Sequence, residues 1–334
     1  MLKILLLLLS FSVLSKVSIT YDFKKPIWGI TKIDSNTIAF TTKKGSVHTL
    51  DLKAKKTKNL GISFPSVNTK GQGGLLDIYF YKDQLFFTYA FKSKKGNTTR
   101  LAKVDYKNQK ATNFKVLYTA KAFEKTVHHY GSRILIKDGF IFMSVGDRGQ
   151  RNKAQSLKTD HGSILRLNLD GSIPKTNPYY SKKAYSSAIW SKGHRNSQGI
   201  ATANNQIYNG EFGPQGGDEI NLIKAGANYG WPIITYGEEY GGGKIGKTKE
   251  SSLIQPLKYW VPSISFSEIL IYKNRLYLAC LGTEQILRYD MNANKFNNKI
   301  KLSTNLKERF RTLEEVDGKI YFATTTGKIG FILE

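Results

Sequence analysis

QLFFTYA, at residues 84–90, is the stretch that decides the fold of this chain. The run is aromatic and apolar, turn-forming residues lie on both sides of it, and it is too short for a helix. It therefore predicts a buried β-strand. Five further runs share its length and composition: NTIAFTT (36–42), GFIFMSV (139–145), QIYNGEF (206–212), RLYLACL (275–281) and KIYFATT (319–325).

A second strand-like segment follows each of these six runs. These segments are SVHTLDL (46–52), RLAKVDY (100–106), SILRLNL (163–169), DEINLIK (218–224), QILRYDM (285–291) and KIGFILE (328–334). Units of this size, rich in β-branched and aromatic residues and in turns, are typical of propeller blades.

We therefore predict an all-β fold, a six-bladed β-propeller. A closed ring leaves few exposed strand edges, and the final segment KIGFIL is expected to close the ring against the N-terminal strands. Two packed β-sandwiches are the alternative, but the sequence shows no linker between two cores.

The first 18 residues, MLKILLLLLSFSVLSKVS, have the pattern of a secretory leader, with Lys3 before an apolar run. We expect cleavage near residues 15–18, a single propeller domain at residues 19–334, and a periplasmic or secreted protein. An uncleaved anchor is the alternative, but the run is shorter than the roughly 20 residues that a membrane span needs. We therefore expect no membrane span.

The formal net charge is +26. Such an excess can mark a nucleic-acid-binding protein, but here the lysines are spread along the chain without a basic helix or an aromatic-basic module. We therefore interpret the charge as a solvated lysine-rich surface and expect no nucleic-acid partner. Cys280 is the only cysteine, so the chain cannot form an internal disulfide.

Polar motifs precede four of the six units. They are GQGG (71–74), VHHYGSR (127–133), GHRNSQG (193–199) and ERFRT (308–312). Loops at equivalent positions of a ring converge on its axis, and polar loops on a strand scaffold usually carry the function. These motifs are therefore predicted to form one pocket.

Two of the motifs contain candidates for acid–base and electrostatic chemistry. His129 could act as a general base, with Asp147 fixing its tautomer, although a loop histidine bonded to the backbone is the alternative. Arg195 and Asn196 could stabilise a developing oxyanion or a carbonyl oxygen. The alternative is a turn in which Arg195 pairs with a carboxylate.

Two further features point to ligands. Arg309 and Arg311 alternate, so on a strand they project to one face and suit an anionic ligand; a solvated edge is the alternative. The segment GPQGGDE (213–219) offers backbone carbonyls together with the carboxylates of Asp218 and Glu219. That donor set suits a hard cation such as calcium.

Taken together, GHRNSQG, EFGPQGGDEINLI (211–223), NYGWP (228–232) and GQGGLLD (71–77) resemble the soluble quinoprotein glucose/sorbosone dehydrogenases. This group includes the aldose sugar dehydrogenases that depend on pyrroloquinoline quinone (PQQ). The resemblance implies a six-bladed propeller that oxidises the anomeric hydroxyl of aldose sugars to lactones, with PQQ and Ca²⁺ as cofactors. It also implies an external electron acceptor, and a monomer or homodimer.

The resemblance implies a role for each matching residue. His129 is similar to the catalytic base, Asp147 to its orienting partner, and Arg195 to the residue that polarises the quinone carbonyl. The residues that match cofactor-pocket positions are Gln72, Asn196, Gln198, Arg309 and Arg311. Gly213 and Pro214 match the carbonyl ligands of the PQQ-bound calcium, and Glu219 and Tyr229 match a second, structural calcium site.

The chain departs from the family pattern at three positions. Gly282 stands where the family usually has a lysine that contacts PQQ, Phe212 where it usually has His or Gln, and His128 where some members carry Asp. The first two leave open a propeller without PQQ that binds glycans or proteins. A calcium-dependent lactonase is the third interpretation.

Overall fold

The computed structural model describes residues 16–302 and 306–333, which form 24 strands in six four-stranded antiparallel sheets. Each of the first three blades consists of four strands that follow one another along the chain. Blade one contains β2 (Ile27–Lys32), β3 (Thr37–Thr42), β4 (Val47–Asp51) and β5 (Lys56–Asn59), and blade two contains β6 (Leu75–Tyr81), β7 (Gln84–Ser93), β8 (Gly96–Lys107) and β9 (Lys110–Thr119). Blade three contains β10 (Gly131–Lys137), β11 (Phe140–Val145), β12 (Ser163–Asn168) and β13 (Ile189–Lys192).

The remaining three blades complete the ring. They contain β14 (Ser197–Ala203), β15 (Gln206–Glu211), β16 (Asp218–Ile223) and β17 (Lys258–Trp260) in blade four; β18 (Phe266–Tyr272), β19 (Arg275–Cys280), β20 (Ile286–Asn292) and β21 (Lys295–Lys301) in blade five; β22 (Phe310–Val316), β23 (Lys319–Thr324), β24 (Lys328–Leu333) and the N-terminal β1 (Lys16–Asp22) in blade six.

The predicted six-bladed propeller is confirmed. Each of the six runs that decided the prediction forms the second strand of a blade, and each following segment forms the third. The final segment closes the ring as expected, because β24 pairs antiparallel with β1 from Lys16↔Leu333 to Asp22↔Lys328. A short 3₁₀ turn, Arg151–Gln155, is the one helical segment in the described part of the chain.

The core lies between the blades. Six hydrophobic clusters each combine residues of two adjacent blades; one, for example, joins Phe86 and Leu101 of blade two to Ile141 and Met143 of blade three. Cys280 is buried in the cluster between blades four and five. Burial of both faces of every sheet therefore stabilises the ring.

The N-terminal predictions fall partly outside this structure. Residues 1–15 of the expected leader lie outside the described residues, and β1 begins at Lys16. The leader, its cleavage and a domain boundary between residues 18 and 19 stay predictions. Over residues 16–302 and 306–333, no helical segment has the length and apolarity that crossing a membrane requires.

Candidate active site

The first strands of the blades surround a central channel, because each contacts the first strands of its two neighbours. At one end of the channel lies a cavity of about 310 Å³, which we call the upper cavity. This volume is near the lower end of the range for small-molecule sites. Five of the predicted cofactor-pocket residues line it: Gln72, Asn196, Gln198, Arg309 and Arg311. The structure thus brings four polar loops to one place, as the sequence predicted.

The His129–Asp147 pair lies beside the upper cavity, since Gln72 and Tyr130 are part of its lining. Nδ1 of His129 is 2.7 Å from Oδ1 of Asp147. The same carboxylate accepts hydrogen bonds from the Gly149 amide at 2.8 Å and from the Trp231 indole at 2.8 Å. With its carboxylate held from three sides, Asp147 fixes the proton on Nδ1 of His129 and leaves Nε2 as the basic nitrogen.

The backbone of His129 is held in the left-handed region, at φ 53°. A non-glycine residue there is costly and persists only when its surroundings fix it. The His129 amide donates to Oε1 of Gln72 at 2.8 Å. A Cβ on Gly146 would lie 2.0 Å from the His129 carbonyl oxygen, so only glycine permits this approach. The cavity-lining Gln72 therefore also orients the candidate base.

Arg195 connects the pair to the loop that follows β15. Its carbonyl accepts the Asp147 amide at 2.8 Å, and its guanidinium donates to the carbonyls of Phe212 (3.2 Å) and Gly213 (2.6 Å). Its backbone amide donates to Oε2 of Glu211 at 2.7 Å. The guanidinium thus binds carbonyl oxygens rather than a carboxylate, and it lies 5.5 Å from the Trp231 ring.

Arg311 and Gln198 form a polar wall of the upper cavity. Nη2 of Arg311 donates to Oε1 of Gln198 at 3.2 Å, and the Arg311 guanidinium stacks on Trp28 at 4.3 Å. The Nε of Arg311 is buried and has no hydrogen-bond partner among the described residues. A buried donor without a partner is costly, so this wall is built to receive an acceptor.

Two pKa shifts describe the electrostatics of the site. Burial lowers the pKa of His129 below its ordinary value of 6.5, against the opposing effect of the hydrogen bond that Nδ1 donates to Asp147, and the positive charge of Arg195 lowers it further. Burial, with the nearby charge of Arg133, lowers the pKa of Arg311 to about 9. The site therefore favours a neutral imidazole, and a cation whose desolvation an anionic ligand would offset.

Two acidic groups, the buried Glu211 and the half-buried Glu219, flank the loop whose carbonyls Arg195 binds. Glu211 and Glu219 are directly opposite each other on β15 and β16. Burial, then the charge of Glu211, raises the pKa of Glu219 well above its ordinary value. The amide of Asn221 donates to both carboxylates, at 2.9 and 3.3 Å, while its Oδ1 is buried with no partner in the described chain. The sequence predicted Glu219 as a possible calcium ligand, but it did not indicate Glu211.

The interpretation of Asp218 as a calcium-binding carboxylate is not supported. Its carboxylate accepts four donors: the amides of Gly213 (3.0 Å), Ile264 (2.9 Å) and Ser265 (2.6 Å), and the hydroxyl of Ser263 (2.7 Å). It therefore fixes the loop to the connection into blade five, and its oxygens are committed to the chain.

Two of the three departures from the family pattern also reach the site, since Phe212 and Gly282 both line the upper cavity. A different cation lies at its edge. The Lys43 ammonium donates to the Gly71 carbonyl at 2.7 Å and lies 5.6 Å from the Trp28 ring, and both partners line the cavity. Lys43 therefore places a positive charge at the edge of the cavity, although Gly282 stands at the position of the family lysine.

The comparisons with known proteins agree with this geometry. The family described as Glucose / Sorbosone dehydrogenase matches residues 23–332. This chain belongs to that family. The predicted resemblance to the glucose/sorbosone dehydrogenases is therefore confirmed. The predicted enzyme class, a sugar dehydrogenase, is confirmed at the level of the family.

Two relatives of this Glucose / Sorbosone dehydrogenase family member match it over more than half of the chain. Aldose sugar dehydrogenase YliI of Escherichia coli K12 is 30% identical over 283 residues, which are 78% of this chain and 76% of that protein. The uncharacterized protein slr1608 of Synechocystis is 32% identical over 232 residues. Those residues are 64% of this chain and 56% of that protein, so the chain spans little more than half of this relative.

Solved structures share the fold over nearly the whole chain. The apo-form of the soluble aldose sugar dehydrogenase from E. coli superposes with a TM-score of 0.88 at 26% identity, covering 95% of this chain and 98% of that one. The PQQ-bound aldose sugar dehydrogenase from Streptomyces coelicolor has a TM-score of 0.79 at 24% identity, covering 96% and 98%. At that identity the second likeness supports the fold alone.

Proposed function

We propose that this chain is a PQQ-dependent aldose dehydrogenase that oxidises the anomeric hydroxyl of sugars to lactones. One observation carries the proposal: Arg311, with its buried, unpartnered Nε, lines the same cavity that the His129–Asp147 pair adjoins. A carboxylate-bearing planar cofactor matches such a wall, because guanidinium groups bind carboxylates with strong, directional hydrogen bonds. The residues present therefore fit PQQ.

Each residue has a role that its contacts support. Arg309 and Arg311 would hold cofactor carboxylates, while Gln72, Asn196 and Gln198 would bind its other polar edges. PQQ, when bound, supplies the acceptor for the hydride that leaves the sugar carbon. Nε2 of His129 takes the proton of the anomeric hydroxyl, and Asp147 stabilises the imidazolium that results. Arg195 would supply the positive charge that stabilises an acceptor carbonyl.

Calcium has two candidate places with different chemistry. Glu211, Glu219 and the unpartnered Oδ1 of Asn221 supply oxygen donors, and a cation there would relieve the repulsion between the carboxylates. The Tyr229 hydroxyl donates to the Leu222 carbonyl at 2.5 Å and accepts the Lys224 amide, so its calcium ligand would be the backbone carbonyl. At the PQQ-side place, Gly213 and Pro214 would provide carbonyls, and Arg195 now occupies the carbonyl of Gly213.

The remaining parts of the proposal concern context. We propose an aldose as substrate, an external electron acceptor, and a periplasmic or secreted location set by the expected leader. The experiment is reconstitution of purified protein with PQQ and Ca²⁺, followed by dye reduction with a panel of aldoses. Sugar-dependent reduction that requires PQQ supports the proposal. No reduction across the panel, without a quinone difference spectrum, overturns it.

We expect the acidic limb of the kcat/KM profile to have its midpoint below pH 6.5. Burial and Arg195 lower the pKa of His129 from 6.5, so the neutral base persists as the solution becomes more acidic. Charged neighbours facing it are Asp147, Arg148, Arg195 and His128 when protonated. A profile of dye reduction against pH measures the midpoint, and a midpoint above 6.5 would contradict the assignment.

We expect Gly282→Lys to tighten PQQ binding by about ten- to a hundredfold, the value of one charge-assisted hydrogen bond. Gly282 lines the upper cavity, and a Cβ there would lie 3.0 Å from the Ser265 hydroxyl and 3.2 Å from the Ile264 carbonyl, which is tight. Gly282→Met is the matched control, with similar bulk and no charge. Equal affinities of the two variants would show that a cation at this position contributes nothing.

A further inference from the structure

The guanidinium of Arg133 lies among the inner strands of the ring. Arg133 is on β10 of blade three and is 2% exposed. Its side chain is part of the lining of a second cavity of about 480 Å³, the lower cavity, which the same inner strands surround. Its neighbour Ser132 lines the upper cavity. Arg133 therefore lies in the layer that separates the two cavities.

The Arg133 guanidinium bonds to four other blades. Nη1 is 2.9 Å from Oδ1 of Asp77 in blade two and 2.9 Å from Oε2 of Glu268 in blade five. Nη2 donates to the carbonyls of Ser267 at 2.5 Å and Arg311 at 3.3 Å, in blades five and six. Nε donates to the carbonyl of Gln198 in blade four at 2.6 Å. One side chain thus fixes the inner strands of five blades relative to each other.

Two of these bonds concern the upper cavity. The carbonyls that Arg133 binds include those of Gln198 and Arg311, whose side chains line that cavity and bond to each other. The Ser267 hydroxyl, whose one proton is shared between the carbonyls of Arg311 at 2.8 Å and Phe310 at 3.0 Å, is a second donor to the same Arg311 carbonyl. The separation of the two side chains therefore depends on the donors that hold their backbones.

Charge explains why this position requires arginine. Asp77 and Glu268 are buried against Arg133, and burial raises the pKa of both carboxyls while the guanidinium opposes that shift. The planar fork offers five donors in fixed directions, whereas a lysine offers three from one atom. Lysine could keep the charge beside the two carboxylates but could not also reach the carbonyls of Gln198 and Arg311.

We propose that Arg133 is a positioning residue for the cofactor cavity, which sets the spacing of Gln198 and Arg311 through their backbone carbonyls. The inference rests on the proposed function, because it concerns how the same cavity holds PQQ. Arg133 contacts the cavity through these two residues and is not itself part of the cavity lining.

The test is a titration of the apoprotein with PQQ, in wild type and in Arg133→Lys. Quenching of tryptophan fluorescence monitors the binding. We expect the variant to bind PQQ at least about tenfold more weakly, as for loss of one or two hydrogen bonds to a charged group. Arg166→Lys is the matched control. Arg166 is a buried arginine of the same blade, bonded to Asn177 at 2.8 Å and stacked on Trp190 at 4.1 Å. The control is expected to bind PQQ like wild type.

Ser267→Ala tests the inference without disturbing the ion cluster. It removes the second donor to the Arg311 carbonyl, and we expect PQQ to bind this folded variant about three- to tenfold more weakly. The inference would be overturned if Ser267→Ala bound PQQ with wild-type affinity and Arg133→Lys either did the same or failed to fold. Equal weakening by Arg166→Lys would overturn it too. Absence of PQQ binding by the wild type would instead refute the proposed function, and with it this inference.

Discussion

Replacing His129 with glutamine is expected to lower kcat for aldose oxidation by about 10²- to 10⁴-fold, the usual contribution of a positioned general base. The imidazole is held by Asp147 at 2.7 Å and by a backbone that Gln72 fixes. Glutamine keeps approximate size and polarity but cannot take the hydroxyl proton. Steady-state dye reduction at saturating PQQ measures the effect.

The neighbouring histidine provides the control for this variant. The His128 ring packs edge-on against His129 at 4.7 Å, and its carbonyl accepts a hydrogen bond from Arg148. His128→Gln leaves that carbonyl in place and is expected to change kcat by no more than about threefold, as for a side chain outside the proton path. If both variants lose activity equally, or if His129→Gln retains most of it, His129 is not the base.

Replacing Arg311 with methionine is expected to weaken PQQ binding by about 10²- to 10⁴-fold. Two charge-assisted hydrogen bonds of about 1.5–3 kcal/mol each account for this range. The thermal stability of the apoprotein should be unchanged or higher, because burial lowers the pKa of Arg311 to about 9, which reflects the cost of holding its charge out of water. Binding and stability thus move in opposite directions.

Calorimetric titration and a thermal melt of the same sample measure both quantities. Arg309→Met is the control, since Arg309 also lines the cavity but is exposed, and exposed charges contribute less. We expect its effect on PQQ affinity to be no more than about tenfold. A variant of Arg311 that binds PQQ as tightly as wild type would remove Arg311 from the cofactor site. Loss of binding with an equal loss of stability would show a structural role only.

The sequence predicted the parts of the fold that local patterns encode. Runs such as QLFFTYA and KIYFATT identified the second strand of every blade, because a short, continuous apolar run between turn-forming residues is a local property of the sequence, and these strands are buried along almost their whole length. The closing pair of β24 and β1 followed from the need to cover strand edges in a ring. Convergence of the polar loops followed from the same symmetry.

The sequence could not reveal contacts that only the closed ring creates. Trp231 was visible in the motif NYGWP, but its hydrogen bond to Asp147 joins residues 84 positions apart. Arg133 reads as an ordinary strand residue, and its partners come from four other blades. Asp218 appeared to be a metal ligand because its true partners, residues 263–265, lie about 45 positions away. Such contacts depend on register between blades, which periodicity does not specify.

A crystal structure of the protein grown with PQQ and Ca²⁺ tests the central claim most directly. We predict one quinone per chain in the upper cavity, with a carboxylate on the guanidinium of Arg311 and a quinone carbonyl facing Arg195 on the side where His129 lies. An upper cavity without quinone at saturating PQQ, or a quinone bound elsewhere on the propeller, would contradict the account.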